Sequence, residues 1–169
     1  MPKRLSLITH SLHTRTDPTR RYCRLSAEIV GLTMFKKKGK PGTSLSELSL
    51  LKGLGVDGDF HQGGEKQVTI LTEEARRWME SQPEQGLCFS RFQENILIKG
   101  FKLEKIYPGS LLYAGSAVLR ISMLAKPCFD DCSLSSKGTP CRLSGRALFA
   151  IVERSGTVRI GDSVVLYST

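Results

Sequence analysis

Hydrophobic and polar positions change period several times along the chain, and short strands dominate the pattern. Leu25-Ser26-Ala27-Glu28-Ile29-Val30-Gly31-Leu32 is a strand-like run broken by the solvated turn Lys36–Gly42, and in Leu119-Arg120-Ile121-Ser122-Met123 the apolar residues alternate as a half-buried strand requires. The stretch Leu45–Leu54 fits either strand or helix, and a glycine-rich loop, Gly55–Gly64, separates it from an apolar strand at Gln67–Leu71. Thr72 then reads as the N-cap of a helix running to about Ser81, because Glu73 and Glu74 fall in its first turn and Pro83 ends it. Beyond Gly86 short strands return at Asn95–Ile98, Leu111–Tyr113, Ala117–Met123, Ala147–Val152 and Ser163–Tyr167. Turn signals at Pro108-Gly109, Ala114-Gly115, Ser155-Gly156 and Gly161-Asp162 recur at hairpin spacing. The fold class this predicts is mainly β (α+β): a mixed, mostly antiparallel β-barrel with one or two short helices.

The 169 residues suit a single domain, expected over 23–169, and the longest apolar run, Ala147–Val152, is far too short for a membrane helix. Charge is unevenly placed. Residues 1–40 hold ten Lys and Arg against Asp17 and Glu28, whereas the remainder holds fifteen against fourteen Asp and Glu. The nearly neutral body does not make a nucleic-acid surface, which carries its cations on the folded face among stacking aromatics. Residues 1–22, rich in Ser, Thr and Arg with only a short apolar spacing at Leu5, Ile8 and Leu12, read as a basic leader dispensable for folding; an organelle-targeting peptide is the alternative. Five cysteines without a secretory signal point to free thiols in a reducing, cytoplasmic setting.

Reactive side chains are densest in Lys126-Pro127-Cys128-Phe129-Asp130-Asp131-Cys132, followed by Cys141, Arg142 and Arg146. Pro127 helps end the preceding strand and places Cys128 at a strand exit, where Lys126 is expected to favour its thiolate. Such a thiolate serves as nucleophile, sulfur carrier or soft metal ligand; the alternative is a half-buried small hydrophobe. Cys128, Cys132 and Cys141 supply three ligands of a zinc or iron–sulfur site, with His61 or Cys88 left to complete it, or else two of them pair reversibly. Asp57, Asp59 and His61 would share one side of an extended segment, or the flanking glycines make a turn in which the Asp residues bond local amides. Lys66 and the exposed N–H groups of Gly63-Gly64 offer anion binding.

Taken in order, Gly55-x-x-Gly58-Asp59-x-His61, Gln67–Leu71, Phe92-x-Glu94-Asn95-Ile96, Lys126-Pro127-Cys128 and Val158-Arg159-x-Gly161-Asp162 resemble the MOSC domain, named for the C-terminal domain of molybdenum-cofactor sulfurase. The likeness spans about Leu25 to Leu166 and is greatest to the stand-alone bacterial branch. It implies a barrel-like fold that binds molybdenum cofactor (molybdopterin), with Cys128 carrying sulfur or ligating the metal. It further implies roles for Asp59, His61, Glu94, Asn95 and Lys126 around the cofactor; the pterin phosphate would need cations, which Lys66, Lys126, Arg142 and Arg146 could supply, and Cys132 and Cys141, in or just after the polar loop, would form a redox or supporting pair. His61 and Cys128 are expected to face one cleft. Reduction of N-hydroxylated compounds is one activity the resemblance allows; the alternative is a non-enzymatic module with a three-Cys structural metal and a docking partner. Expected partners are the cofactor and a redox or molybdenum-enzyme protein, with no nucleic acid, no membrane and no pyridoxal phosphate. Lys66 stands where Arg is common, and Phe129 where the branch usually has His.

Overall fold

A computed structural model describes residues 25–84, 86–100, 103–136 and 141–167, so the leader and Cys23 lie outside the described residues. The strands are β1 (Leu25–Met34), β2 (Thr43–Ser44), β3 (Glu47–Leu51), β4 (Gly55–Val56), β5 (Val68–Thr72), β6 (Ile96–Lys99), β7 (Leu111–Ala114), β8 (Ala117–Leu124), β9 (Ala147–Arg154), β10 (Gly156–Arg159) and β11 (Ser163–Tyr167). Helix α1 spans Glu73–Ser81, and a single helical turn, α2, spans Ser133–Ser136. In the stretch open to either reading, Leu45–Leu54, Glu47–Leu51 forms strand β3 and Lys52–Leu54 a turn.

Seven strands close a ring in the order β1-β6-β5-β9-β8-β7-β11, with β11 returning to β1 through Leu25↔Leu166 to Glu28↔Ser163. A ring of strands must reverse direction an even number of times, so seven strands require at least one parallel pair. That pair is β5 with β6, Ile70 facing Ile96. Parallel neighbours need a long crossover, which α1 and the loop after it provide.

Thr72 caps α1 as the sequence predicts, its Oγ1 accepting from the Ala75 N–H at 3.3 Å. The helix presses Ala75 and Met79 against the outside of the wall. Two apolar layers result. The lumen is filled by Ile29, Leu32, Ile70, Ile98, Leu119, Ile121 and Leu148, together with residues of the small β10-β3-β4 sheet such as Leu50 and Val158. The outer layer, beneath α1, contains Leu71, Met79, Phe89, Cys132, Leu143 and Phe149. Every residue of β5 is buried, because Val68 and Ile70 face the lumen while Leu71 faces the helix. In β1 a bulge at Val30 breaks the alternation, so Ile29 and Leu32 both point inward. A lumen packed this way cannot hold a ligand, and the site lies on the outer wall.

Candidate functional site

The glycine-rich loop is a turn and not an extended segment. Gly58 takes φ +76°, and the Asp59 N–H bonds the Val56 carbonyl at 3.1 Å. The turn buries the Asp59 carboxylate, which accepts four hydrogen bonds. Oδ2 accepts from the Phe35 N–H and from Asn95 Nδ2, both at 2.8 Å. Oδ1 accepts from the His61 N–H at 2.9 Å and lies 2.7 Å from His61 Nδ1. Burial alone would raise this carboxyl's pKa, but the bonds from His61 and Phe35 outweigh it and hold the group below its ordinary range. An ionised carboxylate is an acceptor only, so the network assigns the His61 proton to Nδ1 and turns Nε2 outward.

Asn95 holds this arrangement to the barrel. Its Oδ1 accepts from the Thr69 N–H at 3.0 Å, and its own N–H bonds the Thr69 carbonyl at 2.8 Å. Its carbonyl accepts from the Thr33 N–H at 2.9 Å, so one buried amide joins β5, β1 and the loop. Gln67 does the same on the other side, donating to the carbonyls of Gly53 and Gly64 and accepting from the Val152 N–H.

Above this scaffold is a cleft of about 660 Å³ lined by His61, Phe60, Lys66, Thr69, Phe149, Lys126, Arg91, Phe92, Gln93, Lys38 and Gly39. Four cations line it and no carboxylate does. Thr69 and Phe149, opposite each other on β5 and β9, belong to its walls, and Lys66 Nζ stands 5.1 Å from the Phe149 ring centroid. Ala125, at φ +67°, is the one non-glycine residue with positive φ among the described residues. This left-handed kink ends β8 and delivers Lys126 to the cleft.

Lys126 also borders a second, much smaller crevice of about 10 Å³, formed with Cys88, Pro127, Cys128, Cys141, Leu143 and Ser144. The expected single cleft is therefore two adjoining spaces, His61 in one and Cys128 in the other, with Lys126 between them. The expected effect of Lys126 on Cys128 is also corrected. The ammonium donates to Cys88 Sγ at 2.8 Å and lies 4.4 Å from the Phe129 ring centroid. Desolvation, and after it the neighbouring Cys141, push the exposed Cys128 thiol above its ordinary pKa against a lowering hydrogen bond with Ser144.

Other sequence candidates lie elsewhere. Glu94 forms a bidentate pair with Arg76 of α1 and lines a hollow with Val30–Thr33, its carboxyl raised by burial against the pull of Arg76. Arg142 and Arg146 border a hollow with Glu74 and Ala75. Cys132 is buried in the outer apolar layer. Among the described residues no three His, Cys, Asp or Glu side chains converge as metal ligands. Sequence reasoning passed over Lys38, read as part of a solvated turn, and Arg91 and Phe149, and it quoted Phe92 in a motif without placing it at the site. The Phe149 signal was its outward place between inward Leu148 and Ala150.

A sequence model of the MOSC domain matches residues 57–165, which include Asp59, His61, Asn95 and Cys128. The chain belongs to the MOSC domain family. No curated protein matches it. Among solved structures, the YuaD protein of Bacillus subtilis superposes with TM-score 0.66 at 22% identity, covering 88% of this chain and 99% of that one. YiiM of Escherichia coli gives TM-score 0.56 at 20% identity over 84% of this chain and 70% of its own. YiiM of Geobacillus stearothermophilus gives 0.55 at 20% over 84% and 75%. At these identities the likeness establishes the shared barrel fold. Among the described residues no helix is long and apolar enough to cross a membrane.

Proposed function

We propose that this MOSC protein binds molybdenum cofactor in the cleft beside His61. The observation that carries this reading is a cleft with four cations, no carboxylate and walls of Phe60, Phe92 and Phe149. That chemistry suits a planar, anionic ligand, because cations pair with phosphate while aromatic faces pack on a ring system. When bound, the cofactor supplies a metal able to transfer an oxo or sulfur group. Lys66 and Lys126 would hold its anionic parts, whereas the Gly63 N–H, expected from the sequence to bind an anion, is already given to the Leu54 carbonyl at 2.8 Å. His61, oriented by Asp59, presents Nε2 as a proton-exchanging group at the cleft. Cys128, exposed across Lys126, would be the soft ligand as its thiolate, or would carry sulfur after that thiolate takes the outer sulfur of a donor persulfide and the donor leaves as a thiolate. The crevice among Cys88, Cys128 and Cys141 has room for about one water-sized atom, which favours carriage of a single sulfur over a larger group. Reduction of N-hydroxylated compounds is compatible with this site, as is a role as carrier to a molybdenum-enzyme partner.

Expression in a host that makes the cofactor, followed by metal analysis and pterin fluorescence, tests the reading. Molybdenum with extractable pterin, reduced in Lys66→Ala and Lys126→Ala, is expected. Zinc alone, or pterin retained equally in both variants, refutes it.

A further inference from the structure

The four cations of the cleft do not sit together. Lys126 leaves β8 and Lys66 precedes β5, whereas Arg91 precedes β6 and Lys38 follows β1. In the order β8-β9-β5-β6-β1, Lys126 and Lys38 come from the two ends of the stretch of wall that borders the cleft.

The far end is also held in shape. Gln93 Nε2 donates to the Lys40 carbonyl at 2.9 Å, and the Gly39 N–H donates to Gln93 Oε1 at 3.3 Å. These bonds pin the lysine-rich turn against the segment before β6. Past them lies a further hollow of about 210 Å³, which shares Gly39, Phe92 and Gln93 with the main cleft and adds Phe35, Lys40, Pro41 and Ser90. It too is free of carboxylates and has an aromatic wall.

We infer that this end is a nucleotide subsite: Lys38, Lys40 and Arg91 take a diphosphate, and the hollow beside Phe92 takes the attached nucleoside ring. Stacking on Phe92 supplies sequence-tolerant base affinity, while the cations read the phosphates. The inference rests on the cleft reading above, since the diphosphate either belongs to a nucleotide-extended form of the cleft ligand or to a free nucleotide. Both sources share one chemistry.

Titration calorimetry of the full chain with adenosine 5′-diphosphate and 5′-monophosphate tests it. The diphosphate is expected to bind about tenfold more tightly, and the exposed-site variants Lys38→Ala and Arg91→Ala to abolish that preference while Lys66→Ala keeps it. Equal binding of the two nucleotides, or a preference that survives both variants, overturns the inference. So does tighter binding of a short single-stranded oligonucleotide, which would assign the surface to nucleic acid. Mild acid hydrolysis of extracted cofactor separates the two sources: released nucleoside monophosphate marks the extended form, and its absence alongside diphosphate preference marks a free nucleotide. Molybdenum without nucleotide preference refutes this inference alone; nucleotide preference without molybdenum refutes the cofactor reading alone.

Discussion

Asp59→Asn keeps the shape of a buried carboxylate and removes its charge, so it isolates what the acceptor contributes. The carboxylate serves four donors, two on each oxygen. An amide has one acceptor end. With its NH2 toward His61, Nδ1 can become the acceptor by a tautomer change, but the His61 backbone N–H is left facing another donor. With its NH2 toward Phe35, the buried Phe35 N–H and the Asn95 amide are stranded together. One stranded donor costs about 1–3 kcal/mol, and the surviving bonds lose their charge assistance, so about 2–4 kcal/mol is expected at neutral pH. The loss is also pH-dependent. Asp59's folded pKa lies below its unfolded value, so its contribution is complete above the unfolded pKa and fades as pH falls through the folded one. Urea unfolding, followed through Trp78 where it packs on Phe89 at 5.5 Å, reads both effects. The wild-type advantage should be full at neutral pH and shrink at about pH 3. A variant within about 0.5 kcal/mol of wild type at neutral pH, the size of an ordinary surface change, refutes the network. An advantage unchanged in acid refutes the assignment of charge.

Thr72→Ala should cost about 1 kcal/mol, a fall of about 2–4 °C in Tm by calorimetry, through loss of the cap on α1. Arg76→Ala strands the Glu94 carboxylate and should cost about 3 kcal/mol in the same urea assay, with Glu94→Gln in that background recovering part of it. Ala125→Gly relieves a left-handed alanine and should raise stability by about 0.5–1 kcal/mol; a loss would show that the kink is held at no strain. Peptide-mapped iodoacetamide labelling should find Cys128 modified in the folded chain and Cys132 only after unfolding. Cys128 labelling should climb at higher pH than a free cysteine peptide, and a matching curve would contradict its raised pKa.

Local patterns were legible where one physical rule governs them. Alternation gave β8, the cap and acidic first turn gave α1, and the turn pairs gave β7 and β11. The barrel was expected from the many short strands and hairpin turns, but the pair that closes it was not legible, because β1 meets β11 across the chain and nothing local encodes that pairing. Strands β2, β4 and β10 are set by neighbours and not by their own composition. At the site, the Asp59–His61 turn could be read from its glycines, yet four acceptor contacts from three segments could not. The direction of Lys126 was misread for a definite reason: adjacency to Cys128 in sequence says little once Ala125 turns the chain and Cys88 arrives from a loop 38 residues away.

Closure of the wall by its first and last strands has a consequence for how the protein is made. While the chain grows, β1 and β7 keep unpaired N–H and C=O edges until Ser163–Tyr167 emerges, and the lumen-facing apolar residues stay uncovered. Every strand that borders the cleft is synthesised before the barrel can shut, so the nascent chain passes through an open-sheet stage prone to pairing with other chains. Loss of a few residues from β11 would not trim a tail; it would return the finished protein to that stage.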